Sequence, residues 1–279
     1  MSLYRDILLV LVLLHAGSAL GATDNHPLIE QLEYEASYQG LLTADNKIPI
    51  ARVSLQTREV GLPGFPEPFL ETSLAVSSEI FPFAEEHYPF RVRIRSLYQA
   101  ESFSVLAREK YKLTDDLKHE ITWVDRKSGE VGRYRTQGSG PELPAALGNW
   151  VSTDRPFRFY KPAKHKLVNG LVDWLSMLQS LRQKQVTPGA EYKFSVTDGK
   201  RLLEYRVEVQ GEEQIQVAGK QQQAWKLQFN ALYTKKGVTS QYHAPVHLWL
   251  SRDQAALPLR FLEHHALGTF TVELKEVNK

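Results

Sequence analysis

Two runs of strict alternation meet at Asp198-Gly199, and this stretch limits the chain to few folds. Tyr192, Phe194 and Val196 alternate with Lys193, Ser195 and Thr197, and Leu203, Tyr205, Val207 and Val209 alternate with Glu204, Arg206 and Glu208. Successive side chains of a strand point to opposite faces, so each run offers one apolar and one polar face. Asp-Gly tolerates the positive φ angles of a tight hairpin turn. The apolar face of such a hairpin needs a second layer to cover it. A candidate lies just upstream, after which Pro188-Gly189 marks a turn. Leu167, Leu171, Trp174, Leu175, Leu178 and Leu181 recur at helical spacing, which predicts one amphipathic helix near 167–184. Packing of this stripe on the sheet predicts that Trp174, Leu178 and Leu181 are buried. It also predicts that Asp173 and Arg182 lie outside any active site.

The rest of the chain repeats the hairpin theme. Strands are expected over 32–42, 48–57 and 70–76, with breaker-rich loops over 60–68 and 80–89. Residues 90–111 predict two strands around a bend at 99–102. Residues 119–124 and 132–136 pair across Arg126-Lys-Ser-Gly129. Residues 137–144 read as loop and 150–166 as an irregular connection. Downstream, 214–217 turns at Ala218-Gly219-Lys220 into 224–229, a strand follows over 246–250, and 259–264 pairs with 269–277. The expected fold class is mainly β: a large curved antiparallel sheet closing into an open barrel or sandwich. With 279 residues, 42% of them hydrophobic, one β-rich domain over 22–279 can bury its own core. Two sheet halves, 22–149 and 150–279, are the alternative division.

The first residues read as an export signal. Arg5 precedes an unbroken apolar run, Ile7 to Leu14, too short for a stable bilayer anchor. Ala19-Leu20-Gly21 sets small residues at the cleavage positions, giving a signal peptide over 1–21, with cleavage after Ala22 as the alternative. A buried N-terminal helix is the bland reading of the same run. The chain contains no cysteine, so neither a lipid-modified cysteine nor a disulfide is available. No later apolar run reaches transmembrane length, so no transmembrane anchor is expected. The expected location is periplasmic.

A net charge of +2 gives no global attraction to nucleic acid. The local exception is Arg91, Arg93 and Arg95, which alternate with Phe90, Val92 and Ile94 and so share one strand face. Three like charges in a row repel unless something negative stands opposite. Either carboxylates of a neighbouring strand neutralise them, or they face an anionic ligand such as a lipid head group or envelope polymer. They are therefore the candidate ligand-binding residues. No catalytic residues, metal ligands or cofactor are expected. His243 and His247 are four residues apart, but Pro245 and the surrounding alternation make the segment extended. They then stand ~13 Å apart, too far for one metal. His264-His265 point to opposite faces. Asp115-Asp116 suit a turn or helix start better than an acid pair. Gly138-Ser139-Gly140 lacks the strand-turn-helix setting of a nucleophile elbow.

From Leu171 onward the motifs form a recognisable series: Asp173-Trp-Leu-Ser-Met-Leu-Gln-Ser-Leu-Arg182, Pro188-Gly189, Val196-Thr-Asp-Gly-Lys200, a Gly211-Glu212-Glu213 turn, Leu248-Trp-Leu-Ser-Arg-Asp253, Leu257-Pro-Leu-Arg260 and Leu267-Gly268. This series resembles the exported bacterial family known as domain of unknown function 3108. The N-terminal half fits through Tyr34-x-x-x-Tyr38-x-Gly40. The resemblance implies a curved antiparallel sheet with a helix, and no established activity or catalytic residues. Three readings of function remain. The first is a non-enzymatic periplasmic binding or envelope-assembly factor whose concave sheet holds an apolar or amphipathic partner, such as a lipid or other envelope component. The second is a protein-interaction module that pairs with an envelope protein through a sheet edge. The third is a hydrolase of an envelope polymer, which requires polar groups converging in a pocket.

Overall fold

The computed structural model describes residues 28–113, 118–148, 150–151 and 155–278. The expected signal peptide and Asp115-Asp116 lie outside these residues. Fifteen strands follow one another: β1 Leu28–Gly40, β2 Ile48–Val60, β3 Phe69–Ser77, β4 Arg91–Gln99, β5 Val105–Leu113, β6 Lys118–Asp125, β7 Glu130–Arg135, β8 Arg158–Pro162, β9 Glu191–Thr197, β10 Leu202–Val217, β11 Lys220–Lys235, β12 Val238–Gln241, β13 Val246–Ser251, β14 Pro258–His265 and β15 Gly268–Asn278. Three α-helices interrupt them, α1 Pro82–His87, α2 Ala145–Gly148 and α3 Trp174–Arg182, together with a 3-10 turn over Leu41–Thr43. No helix among the described residues is long and apolar enough to cross a membrane.

All the strands belong to one antiparallel sheet, in the order β8-β7-β6-β5-β4-β3-β2-β1-β15-β14-β13-β11-β10-β9, with β12 attached to β11. The first and last strands pair at its centre, from Gln31 opposite Asn278 to Gly40 opposite Gly268. This join turns two runs of hairpins into one curved sheet. Its interior face carries Leu32, Tyr34, Ala36 and Tyr38 of β1, and Phe270, Val272 and Leu274 of β15, all buried.

The segment ahead of α3 bridges an inner strand of one half of the sheet and the end strand of the other. Leu171 O accepts from Val105 N (2.9 Å), while Val172 exchanges hydrogen bonds with Ser195 O (3.0 Å) and Thr197 N (2.8 Å). Leu171-Val172 thus ties the start of β5 to the free edge of β9. The free edge of β8 is covered in the same manner: Phe159 N donates to Pro141 O (2.7 Å) and Gly140 N to Phe159 O (3.1 Å).

This bridge corrects the sequence reading of 167–184. The helix is shorter, Trp174–Arg182. Gly170 takes φ +65°, and Leu171-Val172 is extended because its backbone pairs with two strands. Leu167 and Leu171 fit a helical stripe only by spacing. Asp173 caps the helix, its Oδ1 accepting from Ser176 N (2.9 Å) and Ser96 Oγ (2.8 Å). Leu175 through Leu181 are buried without exception. The helix therefore lies inside the curved sheet, and its polar residues find partners there: Gln179 Nε2 donates to Thr57 Oγ1 (3.1 Å). Arg182 closes the far end with a two-pronged pair to Glu30 (2.7 and 2.8 Å). Leu178 and Leu181 are buried as expected. Trp174, at the helix entry, is only half-buried, against Phe261.

Three smaller corrections follow from local packing. The expected loop over 80–89 contains α1, started by Pro82 at its first turn. The expected irregular connection over 150–166 contains β8. Gly211 (φ +151°) follows a bulge at Gln210 inside one long strand and is not a turn.

Candidate functional site

The sheet interior opens at the end marked by the β1–β2 turn, α1 and the β14–β15 turn. An apolar recess of roughly 450 Å³, counting the part open to solvent, lies there between Tyr38, Ile50, Phe83, Tyr88, Phe90 and Phe270. Leu42 and Leu267 form its rim. The rim is tight where β1 meets β15. Tyr38 Oη donates to Leu267 O (2.5 Å), and Leu41 N donates to the same carbonyl (3.3 Å). Gly40 and Gly268 let the backbones approach this closely, since a Cβ on Gly40 would stand 2.3 Å from Leu267 O. Both glycines belong to the motifs that carried the family resemblance. Beside the recess the surface is unusually apolar: Leu41 is 75% exposed, Leu42 43% and Ile80, two residues ahead of α1, 58%.

One ionisable group stands on the interior face next to the recess wall. Glu263 of β14 is directly opposite Phe270 on one side and Val246 on the other. It is 6% exposed and has no hydrogen bond or ion pair among the described residues. Burial pushes its carboxyl up to about 7. Nearby, His243 Nδ1 lies 2.7 Å from Ala244 O and its Nε2 lies 3.0 Å from Tyr205 Oη. Burial lowers the His243 pKa, so the ring is neutral at pH 7; its Nδ1–H donates to the carbonyl and its Nε2 accepts from the tyrosine. This separates the roles of His243 and His247, and no group of described residues could hold a metal ion.

Glu263 makes stability depend on pH in a definite direction. Its folded pKa lies above its unfolded value, so its contribution is intact below about 4.5 and is lost as pH rises through about 7. Glu263→Gln is therefore expected to match the wild type near pH 4.5. It should exceed it by about 3 kcal/mol above pH 8. Urea unfolding at the two pH values checks this, and equal differences at both would contradict it.

The structure meets the arginine row of β4 with carboxylates. Arg95 is buried, its Nη2 2.7 Å from Glu71 Oε2 and its Nη1 3.2 Å from Glu109 Oε2. Its guanidinium lies 4.8 Å from the Trp150 ring centre, and Trp150 Nε1 donates to the same Glu71 oxygen (2.6 Å). Arg58 holds the other Glu71 oxygen at 2.7 Å. Arg93 stands 3.8 Å from Glu109 Oε1, which also bonds His119 Nε2 at 2.6 Å. Burial alone would raise the Glu109 carboxyl, but the His119 bond and the Arg95 and Arg93 charges outweigh it and hold it down at about 2. Arg91 pairs with Glu85 of α1 at 2.9 Å, which places it next to the helix that lines the recess.

The sequence reading did not single out Glu263, the recess or a second basic row on β5. That row had a visible signal: Arg108, Lys110 and Lys112 alternate as Arg91, Arg93 and Arg95 do. Glu263 had none, because alternation assigns an interior position to a strand residue without saying that a carboxylate there lacks a partner.

Fold and recess together define a protein built on one large, open, curved antiparallel sheet with a short helix held in its interior. Residues 148–275 match the family DUF3108, described as a protein of unknown function, over the stretch where the motifs resembled it. No curated protein shows significant similarity to the chain. Among solved structures, the chain is similar to the β-barrel-like protein of domain of unknown function DUF1849 from Brucella abortus, with 10% identity over 89% of this chain and 96% of that one, at a TM-score of 0.48. It is also similar to a protein with a YmcC-like fold from Bacteroides fragilis, with 9% identity over 95% of this chain and 99% of that one, at a TM-score of 0.29.

Proposed function

We propose that the protein is a non-enzymatic binding factor of the cell envelope, exported by the segment 1–21, that takes the apolar chain of an amphipathic partner into the recess. The observation that carries this reading is an apolar recess open to solvent and flanked by the exposed Leu41 and Leu42. Leaving such side chains in water forgoes about 25 cal/mol per Å² of buried apolar surface, which an acyl chain would recover. Arg91 is the member of the arginine row beside the recess. Arg93 and Arg95 are taken up by Glu71 and Glu109 and have no part in this reading.

Native mass spectrometry of the protein purified from a cell envelope should find a co-purified lipid. A fluorescent fatty-acid probe should bind saturably. Leu42→Asp, at an exposed rim position, should weaken it about tenfold, because a buried or half-buried charge opposes an apolar chain. Ala84→Phe, which fills the recess from α1, should do the same. Absence of both lipid and probe binding would overturn the reading. Protein crosslinks formed through β12, whose four residues are all exposed, would favour the sheet-edge alternative.

A further inference from the structure

The interior face of β5, β6 and β7 concentrates positive charge in a way the arginine row of β4 does not. Register places Arg108, Thr122 and Arg133 in one cross-strand row and Lys110, Glu120 and Arg135 in the next. Glu120 is shared by two arginines, accepting from Arg133 Nη2 (2.5 Å) and Arg135 Nε (2.8 Å). The β9–β10 turn closes over the same face. Arg108 Nη1 donates to Asp198 O (3.1 Å), and Gly199, at φ +83°, sits so near Thr122 that a Cβ would meet its Oγ1 at 2.5 Å. This contact brings Lys200 within electrostatic reach of Lys110, Arg133 and Arg135.

Arg108 also stands 3.8 Å from Asp173 Oδ2. Lys110 differs from the three arginines. It makes no hydrogen bond or ion pair among the described residues, and Glu120 opposite it is already engaged. Burial first, then the charges of Arg108, Lys200 and Lys112, push its ammonium down to about 7 against the opposing pull of the Glu120 carboxylate. A partly buried ammonium facing more cations than carboxylates is costly unless a further anion joins it. Guanidinium forks beside an ammonium point charge are the donor set that suits phosphoryl oxygens.

We propose that the face formed by Arg108, Lys110, Arg133, Arg135 and Lys200 is an anion site for a phosphoryl group. The group belongs either to a soluble phosphate compound or to an anionic lipid head. The proposal stands on this cluster alone and not on the apolar recess.

The test uses the purified chain, inorganic pyrophosphate by titration calorimetry, and vesicles of phosphatidylglycerol or phosphatidylcholine by co-sedimentation. Saturable pyrophosphate binding without a vesicle preference supports a soluble phosphoryl ligand. A preference for phosphatidylglycerol supports a lipid head. In either case Lys110→Met and Lys200→Gln should each weaken binding about tenfold, the worth of one charge-assisted hydrogen bond. Lys200 is exposed, so its variant keeps the test valid should Lys110→Met fail to fold. The proposal is overturned if neither pyrophosphate nor phosphatidylglycerol vesicles bind, or if Lys200→Gln binds like the wild type. Probe binding in the apolar recess should be unchanged in Lys200→Gln, which keeps the two readings separable.

Discussion

Arg95→Met is expected to lower the unfolding free energy by about 3–5 kcal/mol. Arg95 bridges Glu71 and Glu109, each 1% exposed at its side chain. Removing the cation leaves Glu109 with the more distant Arg93 and with His119, and leaves Glu71 with Arg58 and the Trp150 indole. Neither carboxylate can regain water, so the loss is the cost of a buried charge left short of its partner and exceeds the net worth of the pair. The triple variant Arg95→Met, Glu71→Gln, Glu109→Gln should recover much of the stability. Denaturant unfolding of the single and triple variants separates this account from simple loss of packing on Trp150, because the triple variant restores no packing. In the wild type, the depressed Glu109 pKa contributes stability that is present above about 4.5 and lost as pH falls toward 2.

Leu178→Ala is the second large effect, about 2–5 kcal/mol. Leu178 is 1% exposed and Leu181 0%, on a helix enclosed by the sheet. A cavity there cannot collapse easily, because α3 is held at one end by Asp173 and Ser96 and at the other by Arg182 and Glu30. Trp174→Ala should cost less, as its ring is half-buried at the helix entry. Chemical unfolding of both variants gives the order. Equal or reversed losses would mean that the helix docks by its entry and is not a fixed interior element. Such a helix could yield its place to a ligand.

Most hairpins were legible because their information is local. Alternation and turn chemistry at Asp198-Gly199, Ala218-Gly219 and Leu267-Gly268 need no distant partner. The same locality explains the failures. Spacing alone extended the helix back to Leu167, whereas Leu171-Val172 is held extended by Val105, Ser195 and Thr197, residues remote in sequence. The arginine row was visible, but its neutralisation was not, since Glu71 lies 24 residues from Arg95 and Glu109 lies 14 away. The basic cluster needed the register of three strands and the β9–β10 turn to assemble.

By itself, the sequence determined that the chain is a series of antiparallel hairpins with one apolar helix ahead of the β9–β10 pair. Period-two alternation and turn residues act over a few positions. Tertiary structure alone decided that β1 pairs with β15, that α3 occupies the interior, and that the recess opens beside Gly40 and Gly268. Those outcomes depend on which apolar faces meet and which backbones can approach, and pairing between strands more than two hundred residues apart leaves no local trace in the chain.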